Sequence, residues 1–132
     1  MGVEDNRYCI TVTYEQAQLI VKSLDLYSRI LIGQIGEITW VLSKERPGEL
    51  SEDTRRMMDS YLSNIRPMLE EDIFKHERPR CCDLGYEMLK VIDKQLYDDE
   101  REGDDNGYSI SVRSDGPIKY TDAPLIEIKK EN

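Results

Sequence analysis

A helical run of about thirty residues, from Tyr14 to Ser43, is the longest regular pattern in this chain, and Gly33 and Gly36 stand in its interior. Thr13 with Gln16 forms a capping box that starts it, and Pro47 and Gly48 in "RPGE" stop it. On a wheel of about 100° per residue, Ala17, Ile20, Val21, Leu24, Tyr27, Leu31, Ile35, Ile38 and Leu42 fall within about 60° of one direction. That is a complete core face, and it uses neither glycine. The opposite side carries Leu26, Arg29, Gly33 and Trp40, with Ile30 and Gly36 at its margins, where an ordinary surface helix is polar. Each glycine costs about 1 kcal/mol relative to alanine in a helix interior. A helix this long spans roughly 45 Å, whereas a compact domain of this size is about 36 Å across. The pattern therefore predicts self-association through Leu26, Ile30, Gly33, Gly36 and Trp40 into a homo-oligomer, dimer or tetramer. The competing reading covers the glycine face with the third helix or the C-terminal strands of the same chain.

The remaining segments predict a mixed fold. "RYCITVT" (7–13) alternates and is rich in β-branched residues, as a strand is. A second helix starts at Ser51 as N-cap and runs to about Arg66, with Met58, Tyr61, Leu62, Ile65 and Leu69 on its apolar stripe and Pro67 kinking or ending it. A third helix covers 81–100, with Leu84, Met88, Leu89, Ile92 and Leu96 on one face. "YSISV" (108–112) reads as a strand, and the tail 118–132 as one or two short strands, with Pro124 confining one to an edge. The predicted architecture is a single α+β domain over 1–132: N-terminal strand, long helix, two further helices and a small antiparallel strand cluster at the C-terminus.

Charge and motif content narrow the function. The 132 residues include 18 Lys plus Arg against 27 Asp plus Glu, a net charge of −9, which repels nucleic-acid polymers. No apolar run is long enough for a membrane span, and the acidic start "MGVEDNRY" does not read as a secretory signal. Three cysteines, Cys9, Cys81 and Cys82, form a poor disulfide framework and fit a reducing cytosol, hence a cytoplasmic protein. No zinc site is expected, since His76 is the only histidine and no C-x-x-C occurs. "KHERPRCC" is superficially similar to a zinc deaminase signature but fails on spacing. Nucleophile-elbow, P-loop, dinucleotide and H-E-x-x-H motifs are absent. The sequence thus predicts neither an enzyme nor a bound cofactor.

One local pattern departs from the acidic background. "FKHERPR" gathers Lys75, His76, Arg78 and Arg80 immediately before the third helix, whose first N–H groups attract anions. Arg29 is an isolated cation beside Gly33, with Gln34 placed to read an amide or carbonyl. Trp40, Tyr27 and Tyr86 offer aromatic faces on which a base can stack. The alternative is that these arginines pair with the plentiful surface acids.

At "LDLYSRILIGQIGEI", carrying Tyr27, Ser28, Arg29, Ile30, Ile32, Gly33 and Gln34, and again at "DLGYEMLKVIDKQL" and "GYSISV", the chain resembles small acidic proteins encoded by bacteriophages. The likeness covers most of the chain. It extends to the immune-evasion proteins of anti-CBASS type, sponges that sequester a cyclic nucleotide signal of bacterial defence without cleaving it. The resemblance implies an oligomer that holds its ligand at subunit interfaces in the host cytosol. The rival function is a phage accessory protein that inhibits or assembles with another protein and takes no small molecule.

Overall fold

Four α-helices carry the architecture in the computed structural model, which describes residues 2–101, 113 and 115–131. They are α1 (Tyr14–Leu31), α2 (Glu37–Glu45), α3 (Glu52–Phe74) and α4 (Arg80–Glu100). A short 3-10 turn, Val3–Asp5, precedes them. The predicted caps form: Thr13 Oγ1 accepts from the Gln16 N–H while Gln16 Oε1 accepts from the Thr13 N–H, and Ser51 Oγ accepts from the Thr54 N–H. Pro67 does not end the second predicted helix, and α3 continues through it to Phe74.

The α+β expectation is overturned, because the described residues contain no strand. Residues 7–13 alternate as a strand does but have no partner strand among the described residues, and Tyr8, Ile10 and Val12 stay exposed. An unpaired strand leaves its backbone groups to water and gains no ladder. The predicted strand 108–112 lies outside the described residues. The C-terminal tail is held by side-chain contacts instead of a strand ladder: Ile126 and Ile128 pack against the core of Ala17, Ile92 and Leu96, together with Ile20 and Val21.

The core lies between α1 and α4, which run antiparallel. At one end Tyr14 Oη donates to Glu100, which also receives the Arg113 guanidinium at 2.8 Å. At the other, the Ser28 hydroxyl reaches the Cys82 carbonyl and the Cys82 thiol the Ser28 carbonyl. The close approach falls at Gly85, where an added Cβ would lie 3.2 Å from Ser28 Oγ and 3.8 Å from Leu24 Cδ2. The three cysteines are free; burial pushes the Cys82 thiol above its ordinary value.

The single long helix is also overturned. Gly33 adopts φ +87° and terminates α1. Its N–H donates to the Ile30 carbonyl at 3.0 Å, and the Gln34 N–H to the Arg29 carbonyl at 2.9 Å. This pairing is a Schellman motif, the usual use of glycine just past a helix end. The slot expected for a partner is filled by the same chain: a Cβ on Gly33 would meet Glu70 Cγ at 3.3 Å and Ile73 Cδ1 at 3.5 Å, both on α3. Gly36 has right-handed φ and ψ of −59° and −21°, with nothing within 4 Å of an added Cβ. Trp40 and Ile30 remain exposed, and Leu26 is half-buried.

Two stability predictions follow from these positions, both read by urea denaturation. Gly33→Ala should cost about 1–2 kcal/mol, because alanine is strained at positive φ, while Gly36→Ala should be neutral or gain up to about 1 kcal/mol. Thr39, on α2, is buried and its hydroxyl has no partner among the described residues. Thr39→Val should therefore stabilise by on the order of 1 kcal/mol, since the unmade hydrogen bond is removed without changing shape.

Candidate functional site

The N-terminal end of α4 and residues 119–122 of the tail assemble the densest polar cluster. Its centre is Glu87, whose side chain is 3% exposed. The carboxylate accepts from Lys119 Nζ at 2.9 Å, from the backbone N–H groups of Tyr120 and Thr121 at 3.1 and 2.9 Å, and from Thr121 Oγ1 at 2.8 Å. Burial pushes this carboxyl up, but the bonds from Lys119, Thr121 and the two backbone amides together outweigh it and hold it at about 2. Lys119 Nζ also donates to the Ala123 carbonyl. Glu87 thus ties the tail to α4 across more than thirty residues of sequence.

Around this clamp stand several residues predicted to bind ligand. Arg78 pairs with Asp83 at 3.2 Å, and its guanidinium lies 5.1 Å from the centre of the Tyr120 ring. Tyr120 in turn packs on Tyr86, with centroids 5.9 Å apart and planes tilted by 56°. Arg80 pairs with Asp122 at 2.6 Å and holds that carboxyl below its ordinary value. Tyr27 Oη sits 3.9 Å from Cys81 Sγ at the same end of the molecule. Lys75 caps the C-terminus of α3 and His76 follows it in an exposed turn; neither pairs with a carboxylate among the described residues. No side chain caps the first N–H groups of α4, and Asp83 supplies the acid in its first turn.

Arg29 belongs to a different arrangement. It bonds Asp25 at 3.0 Å and the Gln34 amide oxygen at 2.9 Å, and lies 3.8 Å from Glu37. The side chain therefore braces the turn between α1 and α2, and Gln34 is committed to it. Trp40 lies on the exposed side of α2 with the Lys44 ammonium 4.6 Å from its ring centre. No hydrogen bond or ion pair among the described residues joins Arg29, Gln34 or Trp40 to the 75–80 cluster.

Two hollows lie elsewhere. A cleft of about 310 Å³ runs between α4 and the tail, lined by Val91, Lys94, Gln95, Asp98, Ile126 and Ile128. A smaller one of about 120 Å³ is bounded by Gly36, Asp59, Leu62, Ser63 and Arg66. Neither is lined by a predicted ligand residue. Among the described residues no group of three His, Cys, Asp or Glu side chains could hold a metal ion. Glu87, Lys119, Thr121 and Asp122 escaped the sequence reading, because an acid on a long helix resembles any solvated acid until its partners arrive from the tail.

Comparison with protein-family models, with characterised proteins and with solved structures finds no match to this chain.

Glu87 gives a pH dependence of definite sign. Its carboxyl is held below its ordinary 4.5, at about 2, so its contribution is complete above pH 4.5 and is lost as pH falls toward 2. An acid titration of the unfolding midpoint should show that loss, and Glu87→Gln should remove it. The same variant should accelerate amide exchange at Tyr120 and Thr121, while α1 keeps its protection.

Proposed function

We propose that this chain is a non-catalytic accessory protein that assembles with protein surfaces, first with copies of itself. One observation carries the reading: the chain covers little of its own apolar surface. Among the described residues only Ala17, Cys82, Ile92, Leu96 and Tyr97 form the buried apolar set, while Trp40, Tyr61, Met68 and Phe74 are exposed. Among the described residues no helix is long and apolar enough to cross a membrane. The net charge of −9 repels nucleic-acid polymers and leaves proteins as the fitting partners.

A second reading, the phage-type sponge for a cyclic nucleotide, is favoured by one arrangement. Arg78, Tyr120 and Tyr86 form a contiguous cation–aromatic set, with Lys75 and His76 close by in sequence and lacking carboxylate partners among the described residues. A base stacked there with its phosphate on Lys75 needs no catalytic group. Against it, Arg29, Arg78 and Arg80 are each already paired with a carboxylate.

Light scattering and native mass spectrometry should return a mass of at least two chains. A thermal-shift screen against cyclic di- and trinucleotides should leave the melting temperature unmoved. A rise that Arg78→Ala abolishes, with the nucleotide recovered intact, would transfer the assignment to the sponge. A monomer at high micromolar concentration would remove the assembly reading.

A further inference from the structure

The apolar surface is most regular on α3. This helix of 23 residues buries none of them fully. On a wheel of about 100° per residue its apolar side chains from Met57 to Ile73 span an arc of about 160°, with Phe74 in the last turn outside it. One half of that arc, Leu62, Leu69 and Ile73, is partly covered, and Ile73 reaches the Gly33 turn. The other half is open: Tyr61, Ile65 and Met68 are 61%, 50% and 69% exposed.

We propose that this open face pairs antiparallel with α3 of a second copy, across a two-fold axis at the level of Ser63. The spacing Met58, Tyr61, Ile65, Met68 alternates three and four residues, the seam of a coiled coil. It is also symmetric about Ser63. In an antiparallel pair Met58 meets Met68 and Tyr61 meets Ile65, twice over, which is the self-complementarity a two-fold interface requires. The charges at the ends of the seam agree. Arg55 lies beside the first turn of the seam, and Asp72 continues it at the other end; neither has a partner among the described residues. Antiparallel pairing brings each Arg55 to within one residue of the level of the other copy's Asp72, close enough for the long arginine side chain to reach it, whereas parallel pairing would set like charges together and leave them unanswered. Pro67 falls away from the seam on the wheel, so its ring does not obstruct it.

This inference rests on the self-association reading and specifies its surface. Its test is sedimentation and light scattering of the full chain across a concentration series, with far-UV circular dichroism confirming that each variant folds. Wild type should be dimeric or larger, and Ile65→Lys should weaken association by on the order of a hundredfold or more, as expected for a charge placed in a desolvated seam. Arg55→Glu and Asp72→Arg should each weaken it by about tenfold, and the double reversal should restore it to within about threefold of wild type. The reversals sit on the exposed surface and read the seam even if Ile65→Lys fails to fold. A wild-type oligomer that none of these changes disturbs would overturn the α3 seam and leave self-association standing. A double reversal as weak as either single would overturn the antiparallel register, and a wild-type monomer would overturn both readings.

Discussion

The close antiparallel contact of α1 and α4 is the interaction on which the rest of the described structure rests. Ala17 and Gly85 are the small residues that let the two helices approach. Ile92 and Leu96 then fill the space beside Ala17. Everything else attaches to this pair. The tail lies on it through Ile126 and Ile128, and the Glu87 carboxylate fastens the same tail by accepting from Lys119, from the Tyr120 and Thr121 N–H groups and from the Thr121 hydroxyl. A buried carboxylate with four protein donors is held by geometry as much as by charge, since losing any donor would leave it partly unsatisfied away from water.

The turn at Gly33 decides what lies outside that pair. By closing α1 with a Schellman motif it redirects the chain, so that α2 and α3 form an arm that touches the core lightly. Arg29 stabilises the redirection by binding Asp25 and Gln34 on either side of the turn. The arm leaves α3 with a wide apolar arc that, among the described residues, α2 and the Gly33 turn cover only in part. Proteins seldom leave a surface of this kind to water, because burying it is the dominant favourable term in association.

The site chemistry is governed by the abundance of acids. In a chain of net charge −9, cations near the surface readily meet carboxylates, and Arg29, Arg78 and Arg80 all do so. Such pairs contribute little stability when exposed, yet they lower the positive potential that an anion would sense. The end of α4 therefore reads first as a clamp for the tail. The contiguous Arg78, Tyr120 and Tyr86 are its most ligand-like feature.

Local chemistry was legible from the residues alone. The capping box at Thr13 and Gln16, the Ser51 cap, the core face of α1 through Leu24, and Ile92 and Leu96 on α4 all depend on neighbours within a few positions. The same local view misread Gly33, because a glycine inside a periodic apolar run and a glycine just past a helix end look alike in sequence. Only the positive φ and the packing of Glu70 and Ile73 distinguish them. It also assigned strands to 7–13 and 118–132, since alternation records a preference for extended backbone but not the presence of a pairing partner. Glu87 marks the same boundary: its identity as an acid was written in the chain, but its burial was decided by donors 32 to 34 residues away. Sequence determined which segments could form helices and where they could begin. Tertiary structure decided which faces meet, because burial and hydrogen-bond satisfaction depend on groups that no local window contains.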